Sequence, residues 1–350
     1  SRERVAIDLL DGGRPAAVAD GEPAVGLGEE GLPGVDRACA ELPRARGHQE
    51  HKLLRNTGIF LQDLSHKTLQ FSAAQLFQLI GNVLKHPAGH ELAFLLCHDI
   101  FTNKPTLDKA NNLHEFLDLF AGSSYALSPL LSPHFHYEQE RLVIYWQDNF
   151  GADSLTPFLL EMIFTAVQVY TQRRTGHQLP WTFHVSHNQP AYIEQYHVHL
   201  GARILFNARS NAMSIARTEL YRQWPPSTAA VSIVQTPTTD KTHQDIIAPV
   251  MRGFLHEIYH YLKTNIQHNP HLEQTAQDFG MSSASLKRKL QKHNSSFQQQ
   301  FDQVRKHLAL DWLSKEGITQ EEIAQHLHFY DAANLRRAFK RWTGQLPGKL

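Results

Sequence analysis

Apolar residues recur at helical spacing over Phe71 to Leu84, where Ala74, Phe77, Ile80 and Leu84 share one face. That 3.6-residue period predicts an amphipathic helix. Two further helices are expected over Glu91 to Phe101 and His114 to Ala121, and a long apolar one over Leu155 to Thr171. Leu142 to Trp146, Trp181 to Val185 and Ala202 to Phe206 read instead as strands, being short, apolar and rich in β-branched and aromatic residues. This middle region is therefore mixed α and β. Around Gln223 to Thr242 the period is lost among Trp224, Pro225, Pro226 and Pro237, which marks a domain boundary, with Val231 to Val234 as a terminal strand.

From Ile246 onward the helical pattern returns and changes character. Leu272 to Phe279 is a short helix whose apolar face carries Leu272, Ala276 and Phe279, with Gly280 as its left-handed stop. Met281 follows, then Ser282 as the N-cap of a second helix, Ser283 to His293. There Leu286 and Leu290 point inward and Lys287, Arg288, Lys289 and Lys292 outward. The same arrangement recurs. Glu321 to Leu327 buries Ile323, Ala324 and Leu327; Phe329 sits in the turn and Asp331 caps the next helix, which buries Leu335 and Phe339 and shows Arg336, Arg337, Lys340 and Arg341. Ala276 and Ala324 are 48 residues apart, Leu286 and Leu335 49. A helix, a tight turn and a second helix with a basic outer face is the helix-turn-helix pattern. Between the units, Phe297 to Leu313 is one amphipathic helix with Phe297, Phe301, Val304, Leu308 and Trp312 in register. At 1.5 Å per residue it is about 25 Å long, the scale needed to serve two major grooves roughly 34 Å apart.

Composition narrows the classes. The chain has 350 residues, 34 Lys plus Arg against 34 Asp plus Glu, and 41% hydrophobic residues. A net charge of zero excludes a protein that coats nucleic acid over its whole surface, but not one basic face. Residues 269–350 hold 12 Lys and Arg against 8 Asp and Glu. Two cysteines, Cys39 and Cys97, exclude a disulfide framework and a Cys-rich zinc module, and suit a reducing cytoplasm. The longest apolar run, Leu92 to Cys97, is far short of a membrane span, and no signal peptide is visible. Residues 1–48 contain no aromatic residue, eight Gly and four Pro, and are expected to be a disordered or foreign leader. Gly26, Gly28 and Gly31 match Gly-x-Gly-x-x-Gly there, but Pro23, Pro33 and Gly34 deny them the strand and helix a dinucleotide site requires.

Residues 246–347 resemble the DNA-binding domain of AraC/XylS-type transcription regulators. The likeness rests on Ala276, Gly280, Met281, Ser282 and Leu286, on Ile323, Ala324, Phe329 and Leu335, on the run Arg337-Ala338-Phe339-Lys340-Arg341-Trp342-Thr343-Gly344, and on Pro347. Leu53 to Pro226 is similar to the long, arabinose-binding-like N-terminal sensor domain of one branch, through Leu53-Leu54-Arg55-Asn56-Thr57-Gly58 and through Tyr196, Leu200-Gly201 and Phe206. The chain departs from the family at His328, where glycine is usual. A left-handed histidine costs roughly 1 kcal/mol.

The resemblance implies an α+β N-terminal sensor domain (49–240) plus an all-α C-terminal domain (241–350) with two helix-turn-helix motifs joined by a linker helix. It implies a regulator, an activator, controlled by a small-molecule effector that shifts domain orientation or dimerisation, so that the chain, as a homodimer, engages double-stranded promoter DNA and RNA polymerase. No enzyme activity, cofactor, metal or membrane is expected, and no effector-binding residue is identified. Carried over by position, the reading residues are Ser283, Ala284, Ser285, Lys287 and Arg288 in the first unit, and Ala332, Ala333, Asn334, Arg336 and Arg337 in the second. Arg288, Arg336 and Arg337 suit guanine, Asn334 suits adenine, and the alanines suit thymine methyls. Lys287, Lys289, Lys292, Lys340 and Arg341 suit phosphates, which position without reading sequence.

Two alternatives stand beside this. His256-Glu257-Ile258-Tyr259-His260 matches His-Glu-x-x-His, the helix-borne motif of zinc metallohydrolases, with His268 and His271 as nearby third ligands. With 23 histidines in the chain, chance matches are common, and in the family frame Val250, Phe254, Ile258 and Leu262 form the buried face of this helix. The other alternative is a ligand-binding protein with a degenerate DNA-binding domain, given His328 and the alanines of the last helix. His134-x-His136 and His197-x-His199 would share a face only on strands; with His184 and His187 they raise metal or pH sensing. Tyr145, Trp146, Trp181, Phe183, Tyr192 and Tyr196 are read as core rather than pocket.

Overall fold

In a computed structural model of the chain, structure is described for residues 24–25, 50–60, 71–86, 89–96, 101, 105–122, 130–225, 253–313, 317–344 and 346–347. The leader (apart from 24–25), Cys97, Val231 to Val234 and Val250 lie outside the described residues, as do residues 226–242 of the stretch holding the expected domain boundary. The chain divides into two compact units, residues 22–252 and residues 253–350 taken with 1–21.

In the first unit the expected helices appear as α1 (Ala73–Leu84), α2 (Gly89–Leu96), α3 (Leu113–Gly122) and α4 (Thr156–Thr175). The buried face of α1 is Leu76, Leu79, Ile80 and Val83, while Ala74 is exposed and Phe77 and Leu84 only half-buried. The expected face is thus corrected by a rotation about the helix axis: Asn82, though polar, sits inside. Its amide donates to Leu53 O and Arg55 O, both at 2.8 Å, and its oxygen accepts from Gln78 and Lys85. These bonds clip the Leu53–Gly58 turn, left-handed at Asn56 and Gly58, onto α1.

Among the described residues the main sheet has five strands: β1 (Leu131–Tyr137), β2 (Arg141–Asp148), β3 (Thr182–His184), β4 (Ile204–Leu205) and β5 (Ala212–Ala216), in the order β1-β2-β5-β3-β4. Only the β3–β4 pair is parallel. β2 is flanked on both sides and buries Leu142, Val143, Ile144, Trp146 and Gln147, so it reads as a continuous apolar run. β1 and β5 escape the sequence pattern, because Pro133, His134 and His136 interrupt one and β5 is only five residues long. Helix α5 (Ile193–Leu200) was also unforeseen, and it carries His197 and His199, which therefore do not share a face. His134 and His136 do lie on a strand, with His134 Nε2 2.7 Å from Gln147 Oε1.

α4 is buried nearly all round, from Phe158 to Gln168, which is why it lacks an amphipathic stripe. Trp181, Phe183 and Tyr196 are inside the core around it, and Trp146 nearly so. No described helix is long and apolar enough to cross a membrane. Asn82→Ala is expected to lower the unfolding free energy by about 1–3 kcal/mol, because it leaves two carbonyls without donors; urea denaturation followed by circular dichroism measures this.

Candidate nucleic-acid interface

The second unit consists, in its described residues, of α6 (Phe254–Thr264), α7 (Leu272–Asp278), α8 (Ser283–Lys292), α9 (Phe297–Leu313), α10 (Gln320–His326) and α11 (Ala332–Thr343). The spans match the expected elements closely. α7 and α8 make one helix–turn–helix pair, α10 and α11 another, and α9 connects them.

The two turns are built alike. After α7, Gly280 N–H donates to Gln277 O (2.9 Å) and Met281 N–H to Ala276 O (2.9 Å). After α10, His328 N–H donates to Gln325 O (3.1 Å) and Phe329 N–H to Ala324 O (2.8 Å). This pair of bonds is the Schellman closure, which needs a left-handed residue next to the helix end. Gly280 has φ +68° and His328 φ +55°. The histidine gains a compensation that glycine would lack: its Nε2 lies 2.8 Å from Ile266 O, 62 residues away, just beyond α6. Arg305 of α9 braces the same turn, stacking on Phe301 and Phe329 and donating to His328 O.

The next helix then starts in each unit from a side-chain cap. Ser282 Oγ accepts from Ser285 N–H (3.1 Å) and Asp331 Oδ1 from Asn334 N–H (2.6 Å). Four residues after each cap comes a fully buried leucine, Leu286 and Leu335; Leu290 and Phe339, also at 0% exposure, complete the two inner faces. The second turn is longer by one residue, Tyr330, which is 95% exposed. That insertion accounts for the change from 48 to 49 in the repeat spacing. Thr319 and Glu322 form a reciprocal capping box at the start of α10; its backbone and hydroxyl bonds hold the Glu322 carboxyl below its usual range. The Thr-x-x-Glu spacing was the available signal for it.

Of the positions expected to read bases, Ala284, Ser285, Lys287, Arg288, Arg336 and Arg337 are exposed, and Ser283, Ala333 and Asn334 half-buried. Ala332 is only 8% exposed, so its methyl packs inward and offers little to a base. Arg337 donates to Asn334 Oδ1 at 3.0 Å, placing a guanidinium and a carboxamide side by side on α11. Arg336 reaches Gln320 Oε1 at 3.4 Å. Among the phosphate candidates, Lys292 and Lys340 are exposed. Lys289 is half-buried over the Phe254 ring, and Arg341 pairs with Asp302 of α9 at 3.0 Å. A cleft of about 550 Å³ lies at the second turn, between Glu321, Gln325, Tyr330 and Arg336.

The His-Glu-x-x-His segment lies on α6, which packs against α9. Phe254, Ile258 and Leu262 are its buried face, His256 is also buried, and His260 is exposed, so the two imidazoles have unlike surroundings. Their ring centroids are 6.5 Å apart, and His268 and His271 are both exposed. Among the described residues no group of three or more His, Cys, Asp or Glu is placed to hold a metal. Tyr261 ties this helix to the first pair through Asp278, and burial, with that bond, pushes its hydroxyl up to about 12.

Residues 275–350 match the family described as helix-turn-helix domain. An ornithine utilization regulator of Pseudomonas aeruginosa is 41% identical over 98 residues, 28% of this chain and 29% of its own length. The HTH-type transcriptional regulator VqsM of the same organism is 30% identical over 95 residues, 27% of this chain and 29% of its own. The matched stretch thus spans under a third of either relative. The crystal structure of the transcriptional regulator CdpR from Pseudomonas aeruginosa aligns over 90% of this chain and 96% of its own, at 15% identity and a TM-score of 0.31.

His328→Ala is expected to lower unfolding stability by about 2 kcal/mol, since it loses the tie to Ile266 and keeps the left-handed strain. His328→Gly should lose only about 1 kcal/mol, because strain relief offsets part of the lost bond. Urea titration of the full chain checks the order wild type, glycine, alanine.

Proposed function

We propose, from a C-terminal domain that is a helix-turn-helix domain of the AraC type, that this chain is a sequence-specific DNA-binding transcription regulator. The observation that carries the reading is the repeated Schellman turn and N-cap, each followed by a helix with a buried leucine seam and a basic outer face. α8 and α11 are the recognition helices and α9 is the linker that spaces them. In α11, Arg337 and Asn334 form the base-reading pair, preorganised by their mutual hydrogen bond. Arg288 is its counterpart in α8. Lys287, Lys292 and Lys340 contact phosphates, and Arg341 joins them by leaving Asp302.

The remaining assignments rest on the family resemblance. The N-terminal unit binds a small-molecule effector, which acts by favouring one domain arrangement or dimer over another. The chain works as an activator that contacts RNA polymerase at a promoter, in the cytoplasm. Its chemistry is binding: the His-Glu-x-x-His helix is a packing element.

The test is selection of duplexes from a random library by the full chain, followed by mobility shift. Recovery of a defined sequence supports the reading; recovery of no sequence above background refutes it. On the selected duplex Arg337→Ala should weaken binding by about 1–3 kcal/mol and relax preference at one base step. Lys340→Ala should weaken all duplexes alike and reduce the salt slope by about one. A base-selective loss for Lys340→Ala would contradict its assignment.

A further inference from the structure

Glu161 lies in the second turn of α4 and is 1% exposed. A carboxyl so placed needs a partner for each oxygen. Oε1 is saturated: it accepts from the hydroxyls of Tyr196 (2.6 Å) and Tyr192 (2.9 Å). Oε2 is buried and has no hydrogen-bond partner, and no described cation pairs with the group. Burial raises the carboxyl to about 7, against the pull of the two tyrosines. Two hydroxyls on one oxygen and none on the other is a poor arrangement for a structural clasp, which would spread its donors over both.

The two tyrosines that hold Oε1 belong to an aromatic cluster. His90 of α2 stacks on Tyr192 with centroids 4.3 Å apart. Phe94, also on α2, meets Tyr196 edge-on at 5.2 Å, and Phe206 meets it at 5.3 Å. His187 Nε2 lies 3.1 Å from the Tyr196 hydroxyl. Burial holds His90 towards its neutral form, so it adds an aromatic face rather than a competing charge. Tyr192 and His90 are half-buried, so the cluster meets solvent at that edge while Glu161 lies at its floor. A carboxylate with one unsatisfied oxygen, held by tyrosines that are themselves set among further rings, is complementary to a cation that can donate a hydrogen bond.

We propose that Glu161, Tyr192 and Tyr196, with His90, Phe94 and Phe206 packed on the tyrosine rings, form a binding site for a small organic ammonium ion. As the effector site of the chain it rests on the regulator reading above; as a binding site it stands on its own geometry. The ammonium donates to Oε2, the tyrosines hold Oε1, and the rings flank the charge. A neutral isostere of the ligand forfeits both contributions.

The experiment is ligand-observed NMR titration of the full chain with n-butylammonium, and with 1-butanol as the neutral control, in the absence of DNA. The ammonium should bind at least roughly tenfold more tightly than the alcohol. Glu161→Gln should abolish that preference, whereas Glu194→Gln, an exposed acid on α5, should keep it. If Glu161→Gln fails to fold, Tyr192→Phe at the solvent edge takes its place and should weaken the ammonium alone. Equal binding of ammonium and alcohol by the wild type overturns the site, as does a preference that survives Glu161→Gln or is lost equally in Glu194→Gln. Because the readout contains no DNA, a chain that prefers the ammonium but selects no duplex overturns only the regulator reading, and the reverse result overturns only this site.

Discussion

The second unit depends on a backbone constraint: a helix that ends in a Schellman closure must place its next residue in the left-handed region. Once that residue turns the chain, the direction in which the following helix leaves is fixed, and the side-chain cap fixes where it starts. Gly280 meets the constraint without strain. His328 meets it with strain, and its ring bond to Ile266 O ties the second turn back to the segment after α6. The two halves of the unit are thereby linked through a side chain that glycine could not supply.

The basic residues matter only because this frame aims them. Leu286 with Leu290, and Leu335 with Phe339, pin one face of α8 and α11 inward, so Lys287, Arg288, Arg336 and Arg337 are exposed. The connecting helix does more than set a distance. It supplies Arg305 under the second turn and Asp302 against Arg341, so α11 is held electrostatically as well as by packing.

Most of the second unit was legible in the sequence, because each of its signals is local: a 3.6-residue period, a glycine stop, a capping serine or aspartate, a repeat. The burial of Ala332 was not, since alanine is compatible with either face. The first unit was read less well. α4 and β2 declared themselves through apolar length, but β1 carries a proline and two histidines, and α5 carries two histidines and a tyrosine among its eight residues, which suit strand and helix alike. The most telling polar residues, Asn82 and Glu161, were invisible because a single polar residue within an apolar stretch looks like a solvent-facing one. Their partners, Leu53 O and Arg55 O in one case and Tyr192 and Tyr196 in the other, lie about 30 residues away.

The central claim is that two similarly built helices read one duplex together. Methylation protection of guanine N7 on a selected duplex bound by the full chain tests it most directly. The account predicts two protected clusters on one face, about one helical turn or 10 base pairs apart, with the cluster served by α11 lost in Arg337→Ala. A single protected cluster, or two that both persist in that variant, would contradict it.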